Sequence, residues 1–84
     1  MNPRDIIREA AIEEAYELTS HCLEEMDKDG ISAGQVEWVM QHGKICKTDR
    51  RRNRYTLKGG DLMVCVEVLF NKQVTVITAG RERR

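Results

Sequence analysis

Residues 61–79, DLMVCVEVLFNKQVTVITA, decide the fold. Leu62, Val64, Val66, Val68 and Phe70 alternate with Met63, Cys65, Glu67 and Leu69. Period two is the mark of a strand with one face committed to a core. After the polar pair Asn71-Lys72 the pattern resumes at Val74, Val76 and Ile77, so the stretch reads as an antiparallel hairpin. Asn71 tolerates positive φ and suits such a turn, whereas Lys72 suits it less well than Gly would. A lone hairpin is marginal in water. It needs further strands and a covering layer, and the sequence on its N-terminal side is built to supply both.

Working outward, Lys58-Gly59-Gly60-Asp61 is a hairpin turn, because adjacent glycines reach positive φ freely. Tyr55, Thr56 and Leu57 precede it as a strand, and 43–47 (GKICK) is another. Between them lies the basic turn Arg50-Arg51-Arg52-Asn53-Arg54. Ser32 and Gln35 form a capping box, with Ile31 and Val36 placed as a hydrophobic staple. Val36, Val39 and Met40 then give one apolar face, and Gly43 ends a helix over about 33–42. Asn2 and Pro3 start an earlier helical region that carries Ile7, Ala11, Ala15, Leu18 and Cys22 at helical spacing. Residues 3–27 are one long helix, or two that meet at Thr19-Ser20, where either residue can cap; Gly30 is the terminating left-handed residue.

These elements predict an α+β domain in two layers, with two or three N-terminal helices packed on a three- or four-stranded antiparallel meander. Burying Val64, Val66, Val68, Val74 and Val76 supplies about 1.5–3 kcal/mol each in transfer free energy. Chain entropy consumes most of it. Eighty-four residues form one domain. Residues 1–18 read as an extra helical arm, 19–79 as the core and 80–84 as a polar tail.

No apolar run approaches the roughly 20 residues of a membrane helix. The N-terminus MNPRDIIREA is charged and unlike a signal peptide, so a cytoplasmic protein with no membrane partner is expected. Cys22, Cys46 and Cys65 are odd in number and lack ligand spacing, which predicts reduced thiols and no metal. No glycine-rich phosphate loop or nucleophile elbow occurs, and no cofactor is implied.

The net charge of zero hides a division. Residues 1–42 carry three Lys/Arg against ten Asp/Glu, a net of −7; residues 43–84 carry eleven against four, a net of +7. A basic half points to an anionic partner. The plainer reading is that acidic helices neutralise basic strands within the molecule.

The segment TSHCLEEM at 19–26, followed by Gly30, Ile31 and Ser32, resembles a small bacterial family of uncharacterised domains. Its members carry T-x-H-A-x-x-R-M on a helix, then R-G-I-S, a short helix and a Val-rich sheet. That family is grouped with the RelE-like toxins among small ribonuclease folds that include barnase. Glu25 stands here where the family has Arg. The resemblance implies a metal-independent endoribonuclease, with RNA as substrate and a small antitoxin as partner.

Such chemistry needs a base for the 2′-hydroxyl, an acid for the leaving oxygen and cations for the phosphorane. The resemblance offers His21 as acid or base. The sheet offers Arg54 and Tyr55 as the other catalytic candidates, for phosphate contact or acid, with Arg50, Arg51, Arg52, Lys58 and Arg81 as nucleic-acid contacts. Tyr55 can also stack on an unpaired base. The plainer reading makes His21 a first-turn helix residue and 50–54 a solvated turn. Two alternatives stand beside the ribonuclease: a non-catalytic nucleic-acid- or protein-binding module, which Glu25 favours, and a structural protein that forms homodimers through its N-terminal helix or through Met63, Cys65 and Leu69.

Overall fold

A computed structural model describes residues 2–82. These residues form three helices and a five-stranded mixed sheet. The elements run α1 (Pro3–Ile12), β1 (Tyr16–Leu18), α2 (Ser20–Asp29), α3 (Ala33–His42), β2 (Lys44–Asp49), β3 (Arg54–Gly59), β4 (Leu62–Val68) and β5 (Val74–Arg81). The sheet order is β1-β5-β4-β3-β2. Strands β2 to β5 pair antiparallel in chain order, and β1 adds to β5 in parallel.

The fifth strand corrects the expected purely antiparallel sheet of three or four strands. The helical stripe read through Ala15 and Leu18 breaks at Glu13–Ala15, with Glu14 in the left-handed region at φ 55. Tyr16, Glu17 and Leu18 then pair with Val74, Thr75 and Val76. Tertiary pairing overrides the helical spacing of so short a stretch. The Thr19 amide continues the pairing by donating to the Val76 carbonyl at 3.1 Å.

Thr19 is the cap of α2. Its hydroxyl accepts from the Cys22 amide at 3.0 Å and donates to the Ile77 carbonyl at 3.0 Å, so one side chain starts the helix and ties it to β5. The box at α3 has both halves: Gln35 N–H to the Ser32 hydroxyl at 3.1 Å, and Ser32 N–H to the Gln35 side chain at 2.8 Å. In the β4–β5 turn it is Lys72 that takes positive φ, at 66. Asn71 contributes through its side chain, accepting from the Gln73 amide at 3.1 Å.

One core joins the helices to one face of the sheet. Ile7, Cys22, Val36, Val39, Met40, Leu57, Val64, Val66, Val74 and Val76 are fully or almost fully buried. Ile7, Ala10 and Ala11 of α1 belong to this cluster. The segment set apart as an arm is therefore part of the core. Register shifts at 45–47 in β2 and at 76–78 in β5 mark bulges. At the C-terminal end, β5 extends through Arg81 and Glu82 pairs with Lys58; the remainder of the expected tail, 83–84, lies outside the described residues. No helix among the described residues is long and apolar enough to cross a membrane.

Candidate nucleic-acid interface

The basic turn joins β2 to β3. Asp49 pairs with Arg54 in register, and Asn53 takes φ 53 to close the turn. The Asn53 carbonyl accepts from the Val68 amide at 2.9 Å, which fastens the turn to the end of β4. Arg50, Arg51 and Arg52 are exposed on it. Among the described residues none of the three has an ion-pair or hydrogen-bond partner.

Beside the turn lies an open cavity of about 600 Å³. Its β-side wall is Ile45, Thr48, Arg50, Asn53 and Tyr55; its helical wall is Asn2, Pro3 and Arg4. Tyr55 is half-buried and packs against the core as well. Arg4 holds the two walls together. Its Nη1 donates to the Met40 carbonyl at 2.6 Å and its Nη2 to the Gly43 carbonyl at 2.8 Å, satisfying the open end of α3. Burial pushes the Arg4 guanidinium below its ordinary pKa, the charge of Arg8 does the same, and Asp5 opposes both. A cation so placed gains from an anion entering the cavity. The positive end of the α1 dipole lies at the same mouth.

The candidates separate into four places. Arg50, Arg51, Arg52 and Tyr55 cluster at the β2–β3 turn. Arg54 lies on the opposite side of the sheet from Tyr55, because adjacent strand residues alternate. It sits 3.6 Å from Glu67, and its buried Nε lacks a hydrogen-bond partner. Lys58 and Arg81 lie toward the other end of the sheet, both engaged. Lys58 pairs with Glu82, which raises the Lys58 pKa. Arg81 donates from Nε to the Asp29 carbonyl at 3.1 Å, from Nη1 to Asp61 at 3.0 Å and from Nη2 to the Gly30 carbonyl at 3.4 Å. It thereby caps the end of α2.

His21 is exposed on the first turn of α2, which packs over β5. It is not among the residues lining the cavity. The fold therefore gathers arginines and an aromatic ring at one cleft without the imidazole that would act as acid or base. As residues of the cavity Asn2 and Arg4 escaped the sequence reading, which took Asn2 only as a helix start. The one visible sign at Arg4 was a cation in the first turn of a helix, where the dipole disfavours it.

The three thiols are also apart. Cys22 is buried beside Met26, with a sulfur–sulfur distance of 3.7 Å, and burial pushes its thiol pKa up. Cys46 and Cys65 sit on β2 and β4 with β3 between them. Among the described residues no group of three His, Cys, Asp or Glu side chains is placed to hold a metal ion.

A family model described as a domain of unknown function (DUF4258) matches residues 18–81. No curated protein and no solved structure matches the chain. The matched span contains the turn and Tyr55, whereas the helical wall of the cavity precedes it.

Proposed function

This chain belongs to the DUF4258 family, and from that premise we propose that it is an RNA-binding protein of RelE-like kind, gripping single-stranded RNA at the cleft between α1 and the β2–β3 turn. Phosphates lie against Arg50, Arg51 and Arg52, with the Arg4 charge behind them. An unpaired base stacks on Tyr55. The observation that carries this reading is a cavity of about 600 Å³ lined by Arg4, Arg50 and the half-buried Tyr55, beside a turn on which Arg51 and Arg52 are exposed and, among the described residues, without an ion-pair partner. Arginine forks match phosphate oxygens, and a ring beside a basic groove takes any base.

Binding is the reading the geometry favours over cleavage. Cutting RNA needs acid, base and cation around one phosphate, and His21 stands on α2, away from the cleft. The charge reversal at Glu25 points the same way.

The test is titration of a labelled single-stranded RNA at several salt concentrations, with an assay of RNA integrity alongside. Three phosphate contacts give a slope of log K against log salt of about −2. Arg50→Ala reduces that slope by about 0.7, and Tyr55→Ala lowers affinity at every salt. Binding that ignores salt, or that survives loss of all three turn arginines, defeats the proposal. RNA cut by the wild type and left whole by His21→Ala would restore the ribonuclease, and with it a toxin that needs an antitoxin partner.

A further inference from the structure

The sheet has a second face, which no helix among the described residues covers. Thr56, Met63, Cys65, Thr78 and Gly80 point away from the buried rows formed by Leu57, Val64, Val66, Val76 and Ala79. Small side chains in the middle of this face leave a trough of about 590 Å³, edged by Lys47 and Arg81. The floor is partly apolar. Its acidic neighbours Asp49 and Glu67 lie opposite Arg54 at one end, and at the other Asp61 pairs with Arg81 and Glu82 with Lys58. Lys44 and Lys47, on β2, have no ion pair among the described residues, so the unpaired positive charge of this face is concentrated along its β2 edge.

The complementary shape is on the other side of the same molecule. Helix α2 turns Cys22 and Met26 into the core and leaves Leu23 half exposed, at 51%. Glu24 and Asp27 flank Leu23 in the open, and Glu25 is partly exposed. Only Lys28 offsets them on that helix. An apolar knob with an acidic border therefore faces away from a trough with a partly apolar floor and a basic edge along β2.

We propose that the bare sheet face is the docking surface for α2 of a second copy of this chain. Knob and trough are different patches on opposite sides, so the contact is heterologous and copies add head to tail beyond the dimer. The charge division between the two halves of the sequence is the driving asymmetry, and a net charge of zero removes the general repulsion that keeps proteins apart.

The experiment is sedimentation velocity on the full chain across a concentration series, at low and high salt. The expected result is a mean mass that climbs with concentration, passes the dimer, and falls back toward the monomer when salt shortens the Debye length from about 30 Å to about 3 Å. Leu23→Asp removes the knob, and the pair Lys44→Glu with Lys47→Glu removes the trough's charge. Each variant alone should sediment as a monomer while melting like the wild type, since all three positions are exposed. Mixed together, they should form a one-to-one dimer that grows no further, because a single intact knob meets a single intact trough. A wild type that stays monomeric, a wild type that stops at two, or a mixture that remains monomeric overturns the proposal.

Discussion

Arg4 and Gly43 stand 39 residues apart in the chain and are joined by a hydrogen bond of 2.8 Å from guanidinium to carbonyl. The same fork reaches the Met40 carbonyl, so one side chain closes the end of α3 and fixes the start of α1 over the cavity. Hydrogen bonds to charged groups contribute about 1.5–3 kcal/mol when buried, and the half-buried setting places Arg4 at the low end. Arg4→Ala should cost about 1–2 kcal/mol, a fall in melting temperature of several degrees for a domain this size. Arg4→Lys should recover only part of it, since an ammonium has no fork. Thermal melts of the three proteins check the order.

Two glycines make a steric prediction. A Cβ at Gly43 would lie 2.6 Å from the Val39 carbonyl oxygen and 3.0 Å from that of Lys58, both backbone atoms. At Gly59 it would lie 2.8 Å from Cζ3 of Trp38, whose ring is half exposed and can swing aside, and 3.3 Å from Cγ2 of buried Val39. Gly43→Ala should therefore destabilise more than Gly59→Ala, with overpacking costing about 1–3 kcal/mol. Gly59→Ala should instead shift the fluorescence of Trp38, the sole tryptophan. Urea unfolding and emission spectra separate the two outcomes.

Alkaline pH should loosen the sheet edge at β1. The Tyr16 hydroxyl donates to the Glu37 carboxylate, joining β1 to α3. Burial raises the Tyr16 pKa most, followed by that bond and then by the charges of Glu37 and Glu14. A phenol raised in the folded state adds stability that is fully present below its unfolded value, about 10, and is lost as pH climbs through the folded one. The wild type should lose stability above pH of about 10, and Tyr16→Phe should lose less over the same range. Urea midpoints for both proteins, measured from neutral pH upward, test the difference.

How much of this was legible follows from which signals are local. The alternation from Leu62 to Val68 survives intact in β4 because both faces of a strand are written residue by residue. Ser32 and Gln35 announced their helix because a box needs only four positions. Tyr16–Leu18 was illegible as a strand: three residues carry no period, and their pairing partner is Val74–Val76, far along the chain. The cavity was illegible for the same reason. Its walls, Asn2–Arg4 and Arg50–Tyr55, meet only through the fold. The basic run itself was plain, but its division between two faces depended on the register of β3.

That division yields the sharpest test of the cleft. Arg54 and Tyr55 are neighbours in sequence and face opposite sides of the sheet. Arg54 is paired with Glu67 at 3.6 Å and lies opposite Asp49 in the strand register, about a third exposed, and such a pair contributes about 0.2–1 kcal/mol to stability. Its charge is already opposed locally, so little of it reaches an anion beyond the sheet. Arg54→Ala should leave RNA affinity within about twofold of the wild type and leave the salt slope unchanged. Arg50→Ala, four residues away and on the cavity wall, should weaken binding and flatten the slope. Equal losses from the two substitutions would mean that RNA wraps both faces of the hairpin. A larger loss from Arg54→Ala would move the binding surface to the bare side of the sheet, where Lys44 and Lys47 would become its phosphate contacts.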